Sequence, residues 1–415
     1  MAEHSRRRLT GRHLLVSGAT LVIVAAGAFV AVNRASGKVG GPPAADASAT
    51  TLPSPEATSS PGASSTTTPA PLTVTSVLPV DHASAVAYSS TITVSFSAPL
   101  AASSPPPSLS PPLAGSWTRS PDSFTFTPSS PMVPSTLVHV SAAAGPGGIL
   151  AASGEPLAAP FSSSFTVAVG STLRLQQLLA QLDYLPVQFS QPLTAEATTA
   201  AAVSLVPEQG TFTWRFPNTP SQLEALWTPG AANVITQAAV MRFETDHGLA
   251  ADGDAGPLVW GALLKAVADR ETASQPYDYL IATETLPETL YVWREGRIIY
   301  QSPANTGVAG AATPLGTWPV YLRYTATTMT GTNPDGSHYN DPGVPWVSYF
   351  YEGDAVHGFV RAHYGFPQSD GCVELPVANA ATVFPLDPLG TLVTVTSGNL
   401  TTELAPAGAT PPVYG

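Results

Sequence analysis

One cysteine, Cys372, is all that the 415 residues contain. An internal disulfide is therefore excluded, and so is a zinc site built on paired cysteines. The eight histidines are scattered, with no pair at zinc-ligand spacing, and nothing calls for a metal or another cofactor. Basic residues are scarce too: sixteen against 28 acidic, a formal net charge of −12. Six of the sixteen (Arg6, Arg7, Arg8, Arg12, Arg34 and Lys38) stand before position 39, opposed only by Glu3. The remainder therefore holds ten basic and 27 acidic residues. Such a chain repels phosphate backbones, which argues against nucleic acid as a partner.

Leu14 to Val32 runs nineteen residues without a charge, just enough to cross a bilayer as a helix. The arginines before it place the N-terminus in the cytoplasm and the bulk of the chain outside. Residues 1–36 thus read as a cytoplasmic stub and membrane anchor. The rival reading is a cleaved signal peptide, with Ala26-Gly27-Ala28 near a cleavage site. Either way the working part is exported. There a lone cysteine is an intermolecular bridge, an inert buried thiol or a reactive group.

Residues 37–71 are Pro, Ser, Thr and Ala with almost no large apolar side chain, which predicts a disordered tether. Residues 72–169 switch to short alternating runs such as Thr91–Phe96 and Ser123–Thr127, the pattern of a β-sandwich. From Ser171 the period becomes helical, with Leu173, Leu175, Leu178, Leu179 and Leu182 on one face. Further helices are expected over Val234–His247, stopped by Gly248, and over Leu258–Val267 behind Pro257. Residues 170–273 form this small helical bundle, interrupted by an aromatic-rich insertion around Thr211–Phe216. Residues 277–398 read as β-structure again, with a hairpin turning at Arg294-Glu295-Gly296 and a polar loop from Met329 to Pro345. Residues 399–415 are a tail.

Three resemblances follow from these stretches. Phe96-Ser97-Ala98-Pro99-Leu100 and the Thr127-Pro128 turn resemble bacterial Ig-like spacer modules. Leu175–Leu178, Ala239–Phe243, Gly248-Leu249, Asp252-Gly253, Gly256 and Trp260–Leu263 resemble the three-helix peptidoglycan-binding module of wall enzymes. Third, His357-Gly358 followed by Ser369-Asp370-Gly371-Cys372 resembles the L,D-transpeptidase family with its YkuD-type catalytic domain. Thr313-Pro314-Leu315-Gly316-Thr317-Trp318 upstream and Pro388–Val393 downstream match that family in the same order. Papain-like and NlpC-type hydrolases place Cys before His; sortases space the two further apart.

The last resemblance implies cysteine acyl transfer on peptidoglycan stem peptides. Cys372 would be the nucleophile and His357 its base, with the Gly358 carbonyl orienting the imidazole. The N–H groups of Gly371 and Cys372 would hold the oxyanion, and Ser369 belongs to the same motif. A thioester resolved by a second stem gives a 3–3 cross-link; water in its place gives an L,D-carboxypeptidase. A non-catalytic wall-binding protein with a degenerate domain is the alternative of another class. Two positions depart from the common pattern: Asp370, where His is frequent, and Glu374, where Arg or Asn is frequent. An acidic Glu374 would raise the thiol pKa or attract a substrate amine. Tyr339 is expected to border the substrate groove or to pack beneath it. His363 and His338 read as solvated.

The expected whole is multidomain: membrane anchor, Ig-like sandwich, helical bundle and β-rich catalytic domain, located at the cell membrane and in the cell wall. Its expected partners are peptidoglycan stems and glycan, with the membrane reached through the N-terminal helix.

Overall fold

Period-two alternation builds the first layers. The first eight strands are β1 (Val74–Leu78), β2 (Ala83–Val86), β3 (Ile92–Phe96), β4 (Ser108–Ser110), β5 (Gly115–Ser120), β6 (Ser123–Pro128), β7 (Leu137–Ala142) and β8 (Phe161–Val167), and the alternation is clearest in β3, β6 and β7. Ile92, Val94 and Phe96 point inward from β3, Phe124 and Phe126 from β6, and Val138 and Val140 from β7. Two four-stranded sheets, ordered β1-β3-β6-β5 and β2-β8-β7-β4, close on these side chains as a sandwich.

The computed structural model describes residues 70–191 and 198–398. The expected anchor (residues 1–36), nearly all of the tether and the tail (399–415) lie outside the described residues. Among the described residues no helix is long and apolar enough to cross a membrane.

Next comes α1 (Thr172–Gln181), its first turn capped by Ser171 Oγ, which accepts the Arg174 N–H at 3.4 Å. The insertion after it pairs β9 (Val187–Phe189) antiparallel with β10 (Phe212–Trp214) and adds the short α2 (Ser221–Glu224). In α3 (Val234–Asp246), Asn233 Oδ1 accepts the Thr236 N–H at 2.9 Å. Pro257 opens α4 (Pro257–Asp269).

The helices do not close a core of their own. Leu178, Leu179, Ala239, Phe243, Trp260 and Leu263 share one cluster with Tyr277, Tyr279, Ile281, Trp293 and Leu392 of the following sheet. Where a separate bundle was expected, the structure layers three helices on a sheet face. The reason is visible in β11 (Asp278–Thr283), which is buried at all six positions and therefore needs cover on both sides.

That sheet runs β13-β12-β11-β19-β14, with β12 (Thr289–Arg294), β13 (Arg297–Pro303), β14 (Gly316–Pro319) and β19 (Leu392–Thr396). Its inner face, Leu280, Ala282, Leu290, Val292, Val393 and Val395, packs on a second sheet. The second sheet orders β15 (Leu322–Thr332), β16 (His338–Tyr351), β17 (Asp354–Gly358) and β18 (Val373–Leu375), backed by α5 (Val377–Val383). Here the expected polar loop is corrected. Met329 pairs with Asp341 and Thr332 with His338, so residues 329–345 form the arms of a long hairpin. Its polar composition reflects arms exposed along much of their length, which leaves no apolar alternation to read.

Helix α3 packs closely on the turn before Leu392 at Gly390, where φ is +82°. A Cβ there would lie 2.5 Å from the Ala238 carbonyl oxygen of α3 and 2.8 Å from Arg242 Cγ. Gly390→Ala is therefore expected to cost about 2 kcal/mol from left-handed strain and the pushed-back helix, measured as lost stability in urea unfolding.

Candidate functional site

Parallel pairing of β17 with β18 sets Val356 opposite Val373, His357 opposite Glu374 and Gly358 opposite Leu375. Alternation then sorts the side chains. Val356, Val373 and Leu375 enter the core between the sheets. His357, Cys372 and Glu374 line a groove of about 190 Å3 on the other side. Met329, Asn333, Tyr339, Asp341 and Val344 of the long hairpin line it too, with Phe359, Arg361, Ser369 and Asp370. Thus the stretch from His357 to Cys372 leaves one strand, loops over the groove and returns on its neighbour.

His357 is 3% exposed. Its Nδ1 lies 3.1 Å from the Gly358 carbonyl oxygen, so Nδ1 carries the hydrogen and Nε2 keeps a lone pair. Burial lowers the imidazole pKa, against smaller upward pulls from the Gly358 carbonyl and Glu374. The group is neutral near pH 7, as a general base must be.

The loop that carries Cys372 is fixed from two sides. Ser369 Oγ donates to the Cys372 carbonyl at 2.5 Å and accepts the Gly371 N–H at 3.2 Å. The latter corrects one expectation: the Gly371 N–H is committed to Ser369, because the tight Ser-Asp-Gly turn folds back on its own hydroxyl. Ser369 N–H donates to the Thr306 carbonyl at 3.0 Å. Thr306 is itself held by the buried Glu288 carboxylate, through its N–H at 2.6 Å and its hydroxyl at 2.8 Å. Thr313 of the upstream Thr-Pro-x-Gly motif accepts the Gly307 N–H at 2.9 Å, which ties that motif to the same segment.

Gly371 has φ +117° and its Cα abuts the Asp354 carboxylate, which leaves no room for a side chain. Asp354 was not legible as a site residue in the sequence. Half-buried, its carboxyl is raised to about 6 by desolvation and by Glu352. Burial pushes the Cys372 thiol up to about 12; the Ala355 N–H pulls it down, while Asp354, Glu374 and Asp370 push it further up. The resting thiol is protonated.

Glu374 is 4% exposed and does not face the groove as a free charge. Arg361 grips it with two bonds, Nε to Oε2 at 2.8 Å and Nη2 to Oε1 at 2.7 Å. Arg361 did not stand out as a site residue in the sequence; an arginine in the His-to-Cys loop with a glutamate two past the thiol is the signal that could have found the pair. Asp370 lies at the groove, its carboxyl raised first by burial. Tyr339 lines the groove wall and crosses Gly331 of the facing arm. His338 is bonded to Thr332 at 3.0 Å, and neither it nor His363 is among the groove residues. Among the described residues no three His, Cys, Asp or Glu side chains converge as a metal site.

This geometry fits a cysteine acyl-transfer domain, and family comparison agrees. Residues 278–395 match the L,D-transpeptidase catalytic domain (YkuD), and residues 67–167 match the bacterial Ig-like domain (Big_5). The chain thus carries a YkuD-type catalytic domain behind an Ig-like domain. No curated protein matches it. Among solved structures, an L,D-transpeptidase from Mycobacterium smegmatis is 13% identical, over 79% of this chain and 99% of that one, at a TM-score of 0.25. L,D-transpeptidase 3 from Mycobacterium tuberculosis, in complex with a faropenem-derived adduct, is 14% identical over 78% and 98%, at 0.26. The L,D-transpeptidase from Stackebrandtia nassauensis is 23% identical over 42% and 85%, at 0.24.

Because the thiol sits near 12, alkylation of Cys372 by iodoacetamide is expected to keep rising through pH 10, where an ordinary cysteine has levelled off. Asp354→Asn removes a negative charge beside the sulfur. It should speed alkylation severalfold above about pH 6, where Asp354 is ionised, and make no difference well below it.

Proposed function

We propose that this chain is a cysteine-dependent L,D-transpeptidase acting on peptidoglycan stem peptides. The observation that carries the reading is that His357 of β17 and Cys372, immediately before the adjacent parallel β18, line one groove. Thiol and imidazole begin as a neutral pair. As the donor carbonyl arrives, Cys372 Sγ bonds to its carbon while the thiol proton passes to His357 Nε2. The bond to the terminal D-alanine nitrogen then breaks, and that amine leaves with the proton. An amine of a second stem attacks the thioester and gives its proton to His357. The proton returns to sulfur as the C–S bond breaks, leaving a 3–3 cross-link.

In this mechanism the Gly358 carbonyl holds the required tautomer. The Cys372 N–H is the oxyanion donor, since the Gly371 N–H serves Ser369. Tyr339 and Asp370 border the stem. Leu14–Val32 anchors the chain in the cell membrane with the catalytic domain outside. The Ig-like sandwich is a spacer, and the helical layer touches the wall glycan.

The test is mass spectrometry of products from a defined tetrapeptide muropeptide. Wild-type protein should yield the cross-linked dimer, and Cys372→Ala should lose on the order of 1,000-fold or more in rate. Monomeric tripeptide as the sole product would identify a carboxypeptidase instead. Equal dimer formation by the variant would refute the proposal, and no product from either protein would favour the non-catalytic wall-binding reading.

A further inference from the structure

The Arg361–Glu374 pair lies outside the acyl-transfer steps and is unusually well built. Glu374 stands directly across from His357 in the parallel register, on the groove side of the sheet. Its carboxylate takes the two Arg361 bonds and a third from Asn305 Nδ2 at 3.4 Å. Arg361 also donates from Nη2 to the Gln368 carbonyl at 3.1 Å, next to Ser369. Its guanidinium carbon lies 4.7 Å from the centre of the Phe359 ring, whose edge-on partner at 6.0 Å is His357 itself. One side chain thus spans the loop between base and nucleophile, touching both its ends.

We infer that Arg361 is a positioning residue of the acyl-transfer site, which acts by cancelling the Glu374 charge beside His357 and by holding the residue 359–369 loop as a groove wall.

The electrostatic argument has a sign. A buried carboxylate next to an imidazole favours the imidazolium, and a protonated His357 cannot accept the thiol proton. The other charged or titratable groups of the groove do not supply the cancellation. Asp341 and Tyr339 of β16 and Asp370 and Cys372 of the loop become negative when they ionise, and so does Asp354 of β17, which acts on Cys372 from outside the groove lining. Among the charged groups acting on His357, Glu374 and Asp341 pull its pKa up and Arg361 pulls it down. Among the described groove-lining residues other than His357, Arg361 is the one cation. A purely mechanical brace would need the bonds but not the charge, and on that point the two accounts separate.

The experiment follows the His357 imidazole by NMR in the full chain between about pH 4 and 9, assigned by its absence in His357→Gln. Arg361→Gln should move the titration midpoint up, and Glu374→Gln should move it down. The double variant, which removes both charges, should return close to wild type. Where Arg361→Gln fails to fold, Glu374→Gln and the charge-keeping Arg361→Lys decide: a downward shift in the first and none in the second support the inference. Unchanged midpoints, or shifts of the same sign in the two single Gln variants, overturn it. Dimer formation by Arg361→Gln should fall about tenfold or more at the acidic end of its pH profile relative to its own plateau. The inference rests on the transpeptidase reading for its consequence, but the titration is read without substrate. Failure to cross-link would therefore count against that reading alone.

Discussion

Three backbone pairings, between β17 and β18, hold the rest of the site in place. Parallel strands in register present like positions on like faces, so one pairing sends Val356, Val373 and Leu375 into the core and His357 and Glu374 into the groove, Cys372 following by alternation. A one-residue slip would bury the reactive groups and expose the valines. The apolar cost of that slip is what keeps His357 and Cys372 on one groove, with no bond between them required. Packing chemistry here enforces reaction geometry.

The electrostatics of the groove follow from the same burial. Enclosure makes both ionised forms costly, so the imidazole is held neutral and the thiol protonated. Such a pair waits for substrate rather than storing a reactive thiolate. A resting thiol near 12 also resists oxidants that attack thiolates. The acidic groups around the sulfur, Asp354 and Asp370, push in the same direction.

Much of this was legible in the residues, for identifiable reasons. Strands β3 and β6 announce themselves because buried apolar and more accessible polar residues alternate along them, and helix α1 through the spacing of its leucines, although it is covered nearly all round. His357 and Cys372 stood out through the lone cysteine and two flanking motifs. What the sequence hid falls into two kinds. Residues 329–345 pair as long arms exposed to water along much of their length, so no alternation betrays them. Asp354 reaches Gly371, Glu288 reaches Thr306 and Arg361 reaches Glu374 only once the strands are in register, so their roles are products of the fold. The Glu374 puzzle had the same origin: its neutralising partner lies thirteen positions upstream, across a loop. The merging of helices and sheet was hidden because a strand buried on both sides looks the same whether its cover is a neighbour or its own domain.

The position of β19 has a consequence for how the molecule comes into being. The C-terminal strand of the catalytic domain is not an edge strand; it lies between β11 and β14 and pairs in parallel with the domain's first strand. A chain made from its N-terminus can form the sandwich and α1 early, from neighbouring residues. The five-stranded sheet stays open in the middle until Leu392–Thr396 has emerged, and closing it carries the entropy of the whole intervening loop. The core beneath His357 and Cys372 is therefore among the last parts of the molecule to be sealed. The groove is completed only once β19 has been made, after the sandwich and α1 that precede it.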